Sequence, residues 1–183
     1  IQNIYICDLN FLNYLMIDTC LISLHHDKRW SEFTEKLIAI KKNLDEDMIS
    51  HLDVIYNEDQ DQNLRFQIED IAARKGYDCD SVHALEKIMF AKDSVHLIYV
   101  KKILDERGWL GPDKIGIQGN TTLWLVIQHS ELPVQEKYLP MMREAVKHKN
   151  AFARHLALLE DRVAIRQGKK QIYGSQIGYD SLA

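Results

Sequence analysis

Residues 152–168 read FARHLALLEDRVAIRQG, and this stretch decides the fold. Leu156, Leu159 and Val163 recur at steps of three and four, which lines one face of a helix with apolar side chains and leaves charge on the others. Gly168 supplies the stop. The same spacing recurs upstream. Phe33, Leu37, Ile38 and Ile40 follow a cap at Ser31; Leu64, Ile68 and Ile71 run up to Gly76; Val82, Leu85, Ile88 and Met89 follow Asp80 or Ser81. Val and Thr together number only twelve, and eight Gly with three Pro in 183 residues are about half the usual share of turn formers. A mostly α protein is expected, a single helical domain of about seven to nine helices.

Working outward, a helix is expected over 45–56, then a polar loop over 57–63, then one bent helix or two consecutive helices reaching Glu106. Gly108, Gly111, Pro112, Gly116 and Gly119 predict a Gly-rich loop near 108–119, followed by a short helix to His129. Pro140 either kinks the next helix or starts one of its own. The tail over 169–183 reads as irregular or as a short strand. Residues 1–55 read as an N-terminal helical segment appended to a domain over 56–183. Within that segment Tyr5, Leu9, Leu12, Met16 and Cys20 form one stripe of an amphipathic helix, and Asp8, Asn10, Asn13 and Asp18 interrupt it too often for a membrane span.

Charge is distributed unevenly. Residues 43–70 carry nine acids against Arg65 alone, whereas 101–183 carry 13 basic residues and nine acids. Salt linkage between the two parts, or two faces with different partners, fits this asymmetry. A pI near 6.1 with no basic run longer than two residues argues against a nucleic-acid footprint, and no nucleic-acid partner is expected. Cys7, Cys20 and Cys79 are odd in number and lack C-x-x-C spacing, so buried free thiols are expected and structural zinc is not. The cytoplasm is the favoured compartment.

Three sets of residues bear chemistry. Asp59-x-Asp61-x-Asn63 with Asp70 imitates a calcium-binding loop, but Leu64 replaces the required glycine, which favours a solvated acidic loop. Asp93 and His96 share a helical face at a spacing that permits chelation; a surface or interhelical hydrogen bond is the favoured role. The third set lies beyond residue 106. His129 is the candidate proton carrier, Asp161 and Tyr173 its catalytic partners, and Arg107, Gln128, Arg162 and Gln176 the substrate-binding groups, with no metal and no cofactor. Of these, His129, Arg107, Asp161, Tyr173 and Gln176, spread widely in sequence, are expected to converge on one partly open pocket.

Asp61-Gln62-x-x-Arg65, Arg107-Gly108-Trp109, Gly119, Gln128-His129, Gln135, Tyr138-Leu139-Pro140, Leu156-Ala157, Asp161-Arg162 and Gln171-x-Tyr173-Gly174-x-Gln176 resemble, in this order, a bacterial family of unknown function, DUF6624, over about residues 61–176. The resemblance implies that the Gln-His pair and the Gln-x-Tyr-Gly-x-Gln segment belong to one recurrent constellation. The chain departs from the family pattern at Leu110, where Pro is usual, and at His96, where Asn is usual. Two functions are open at this point. One is a metal-independent hydrolase or transferase acting on a small molecule; the other is a non-catalytic protein-interaction module whose polar cluster is structural.

Overall fold

The structure, a computed structural model, describes residues 11–176. Within them the chain forms eight α-helices and one 3-10 helix: α1 (Phe11–Ile17), the 3-10 helix (Thr19–Leu24), α2 (Lys28–Lys41), α3 (Glu46–Gln60), α4 (Gln62–Lys75), α5 (Asp80–Arg107), α6 (Pro112–His129), α7 (Leu132–Lys147) and α8 (Ala153–Arg166). The protein is mostly α, as its spacing predicts, and no strand occurs among the described residues. Among the described residues no helix is long and apolar enough to cross a membrane.

The hub is α6, which touches α3, α5, α7 and α8. Leu123, Val126 and Ile127 on this helix meet Leu52 and Ile55 of α3, Val100 and Leu104 of α5, Tyr138 and Met142 of α7 and Leu159 of α8 in one core. Against α3 the approach is close. A Cβ at Gly119 would stand 3.1 Å from Leu52 Cδ1, so only a glycine lets the two helices meet there without displacement. Gln118 Nε2 donates to Asp53 Oδ1 at 2.8 Å beside that contact. Trp109 and Leu159 are buried in the same core, with Trp124 and Leu156 half-buried against it.

Several boundaries differ from the sequence reading. The Gly-rich loop contracts to 108–111, because Pro112 starts α6 and Gly116, at φ 67° and ψ 173°, absorbs the break inside it. The loop expected over 57–63 is absent: α3 continues to Gln60, and Asp61 caps α4 by accepting from Asn63 N at 2.9 Å. That geometry leaves no calcium-type loop. A single 28-residue α5 replaces the bent or doubled helix, and α7 runs through Pro140. The expected boundary at 55/56 falls inside α3, whose Ile49, Leu52 and Ile55 belong to the core. The stripe expected from Tyr5 to Cys20 is broken where Asp18 adopts an extended backbone and accepts from Cys20 N at 2.9 Å; its first part lies outside the described residues. Cys20 is exposed and Cys79 half-buried, both as free thiols, and Cys7 lies outside the described residues. The described tail, up to Gln176, is irregular.

Candidate functional site

Each of three helices brings a polar residue to its apolar stripe. Asp59 continues the Leu52–Ile55 face of α3 by one more turn, Asp93 and His96 precede Val100 and Ile103 on α5, and His129 is the last residue of α6. Together with Phe90 and Glu131 they line a cleft of about 160 Å³ that opens to solvent.

Two carboxylate–imidazole pairs organise this cleft. His129 Nδ1 lies 2.8 Å from Asp59 Oδ1, with the Asp59 side chain 5% exposed and that of His129 30% exposed. Burial pushes Asp59 upward, but the hydrogen bond and charge of His129, together with the Gln60 hydrogen bond and the charge of Arg65, more than offset this, and the carboxyl rests below its ordinary value. An ionised carboxylate has no proton to give, so His129 donates from Nδ1 and keeps Nε2 for exchange with a ligand. One residue earlier on α3, Glu58 Oε2 lies 2.7 Å from Nε2 of buried His96, and Glu58 Oε1 lies 3.4 Å from Lys92 Nζ. The His96 bond, aided by Lys92 and opposed by burial, holds Glu58 low. Asp93 behaves oppositely: desolvation by the cleft walls and the charge of Asp59 raise it. Among the described residues no group of three or more His, Cys, Asp or Glu is arranged to hold a metal ion.

The residues singled out in the sequence divide into two places. His129 lines the cleft. Arg107, at the far end of α5 and about 21 Å along the helix from Asp93, pairs instead with Asp45 at 2.7 Å. Sequence spacing points to Asp161 as the group orienting His129, yet Asp59 holds that position. Asp161 is buried and accepts from the backbone N–H groups of Ile172 (2.7 Å), Tyr173 (3.0 Å) and Ser175 (2.8 Å). Burial raises its carboxyl, and these amides bring it below the ordinary range. The exposed Tyr173 side chain lies on the outside of the turn so formed.

Arg162, Gln128 and Gln176 meet behind the cleft rather than in it. Arg162 Nε donates to Gln176 Oε1 at 2.9 Å, and its Nη1 donates to the Gln128 carbonyl at 3.0 Å, which also accepts from Gln135 Nε2 at 2.8 Å. Arg166 Nη1 reaches the Ser130 carbonyl at 2.6 Å. Two guanidiniums therefore satisfy carbonyls at the C-terminal end of α6, the negative end of its dipole, and hold the turn that carries His129.

Sequence reading set Asp59 in a solvated acidic loop and passed over Glu58, because the polar string around them resembles a loop. The signal that finds Asp59 is its register: it stands seven residues after Leu52, on the buried stripe of α3.

No curated protein and no solved structure matches the chain. A family model, described as a family of unknown function, matches residues 47–182, from the first turn of α3 through the tail. The chain belongs to the family of unknown function DUF6624.

Proposed function

We propose that the protein is a hydrolase or transferase of small molecules, working by general acid–base catalysis in the cleft between α3, α5 and α6. The supporting observation is the Asp59–His129 hydrogen bond of 2.8 Å at the wall of that cleft. Asp59 fixes the ring tautomer, and His129 Nε2 takes a proton from water or an acceptor hydroxyl as its oxygen attacks, then returns it to the leaving group. Metal independence is part of the proposal: dialysis against a chelator leaves activity unchanged. The frame of Arg162, Arg166 and Gln135 positions the turn but touches no substrate.

A screen of small ester, amide and phosphoester substrates tests the proposal. His129→Gln lowers any activity found by about a hundredfold or more, and Asp59→Asn does so comparably, while both variants remain folded and unfold cooperatively. Retained turnover in a folded His129→Gln variant overturns it.

A second reading, a protein-interaction module, draws on the exposed Tyr14, Met16, Ile17 and Ile22 of the N-terminal helices. In that case the polar cluster is a packing device, and His129→Gln lowers the melting temperature by several degrees at no cost in activity.

A further inference from the structure

The longest helix, α5, is apolar on two opposite sides. Val82, Val100, Ile103 and Leu104 face inward and are buried. On the far side Ala84, Ile88, Ala91, Val95 and Ile98 recur at alternating steps of four and three, and all five are exposed, Ile88 at 51%, Val95 at 65% and Ile98 at 71%. A surface helix keeps one apolar stripe for the core and polar groups elsewhere, so a second stripe opposite the first is a surface left for a partner.

The form of the stripe limits what covers it. Steps of three and four are those of a coiled-coil seam: β-branched Ile88 and Val95 take the a positions, and small Ala91 at d leaves a hole for a facing side chain. The seam contains no Trp, Phe or Leu and is narrow, unlike the broad apolar face with which a helix lies on a membrane. Its length from Ala84 to Ile98 is about 21 Å, enough for a partner helix of a few turns.

Charge selects among partner helices. Lys87 and Lys101 border one edge of the seam and Lys92 the other, and Lys102 continues the line of the seam itself. Glu86 and Asp93 stand on the inward side, so no acid borders the seam between Ser81 and Lys102. Lys92 leans on Glu58 at 3.4 Å, whereas Lys87 and Lys102 take part in no hydrogen bond or ion pair among the described residues. A second copy is a poor match in either direction. Antiparallel pairing sets Lys87 against Lys101 of the second copy, and parallel pairing sets Lys87 against its Lys92.

We infer that the outer face of α5 docks an α-helix of another protein, apolar along one seam and acidic along its edges. None of the residues involved lines the cleft, so this binding is independent of the acid–base reading.

The probe is a labelled synthetic peptide of about three heptads with Ile at a, Leu at d and Glu at every e and g; its opposite carries Lys at e and g. Each is titrated into the full chain while its fluorescence anisotropy is followed. The Glu peptide binds saturably, with an affinity that falls about tenfold or more from low to high salt, and the Lys peptide does not bind. Val95→Glu, a change at a well-exposed side chain, keeps the helical circular dichroism and the cooperative melt and weakens the Glu peptide about tenfold or more. Lys87→Glu combined with Lys102→Glu turns the preference toward the Lys peptide. Docking of an acidic helix is overturned if the Glu peptide does not bind, if both peptides bind alike, or if Val95→Glu or the charge reversal leaves the titration unchanged. It is overturned equally if sedimentation shows a wild-type dimer that Val95→Glu dissociates, which makes a second copy the occupant, or if Val95→Glu abolishes flotation with anionic lipid vesicles, which makes a membrane the occupant.

Discussion

At residue scale, histidines in this chain are differentiated by what surrounds the ring. His129 and His96 each give a nitrogen to a carboxylate, whereas His155 stacks on Trp124 with ring centroids 4.1 Å apart and meets Phe152 edge-on at 5.4 Å. Burial, with a smaller contribution from the charge of Arg154, lowers His155 to about 4. It is therefore neutral in the folded state wherever the unfolded chain, near its ordinary value of 6.5, begins to bind a proton. Stability from this group is complete above about pH 6.5 and is lost as pH falls toward 4, by about 2 kcal/mol after allowance for solvent screening. Chemical denaturation across that window shows the loss in the wild type, and His155→Phe, which keeps an aromatic ring against Trp124, removes it. Equal acid sensitivity in both proteins contradicts this account of His155.

At the scale of elements, α6 is the piece on which the site depends, and its course is set by one backbone kink inside it. Gly116 sits buried at φ 67° and ψ 173°, a region that side chains avoid. Gly116→Ala is expected to cost about 2 kcal/mol, read as a lower denaturation midpoint with an unchanged denaturant dependence. A neutral substitution would mean that the kink relaxes freely. The register of this helix explains what was legible beforehand and what was not. Leu123, Val126 and Ile127 declare its buried face, and the stripes on α5 and α8 are equally plain. The end of α3 was not, because Asn57-Glu58-Asp59-Gln60 has no apolar residue, although adding one turn to an existing helix is easier than starting a loop and Asp61 was available to cap the next. Propensity pointed to a loop; propagation and capping prevailed. The same misreading kept Asp59 from being matched to His129, for which the sequence reading offered Asp161 as the orienting acid.

At the scale of the whole molecule, the acidic and basic parts of the chain are joined. Asp45 meets Arg107 at 2.7 Å and Asp59 meets His129 at 2.8 Å, so acids from 43–70 find partners in 101–183 at both ends of the α3–α6 contact. Salt linkage was one of two arrangements the charge asymmetry allowed, and the long helices make it possible by bringing groups 62 and 70 residues apart into register. The site is thus a product of tertiary packing. No local motif contains it, which is why a set of short motifs identified the family while the pair at the cleft wall stayed hidden. The most direct test is the tautomer of His129 in the unliganded protein, read from its imidazole ¹⁵N resonances in the wild type and in Asp59→Asn. The account predicts that the wild-type ring carries its proton on Nδ1, donated to Asp59, with Nε2 bare, and that Asp59→Asn returns the ring to the ordinary Nε2–H form. An Nε2–H ring in the wild type, or a tautomer indifferent to Asp59→Asn, would contradict it.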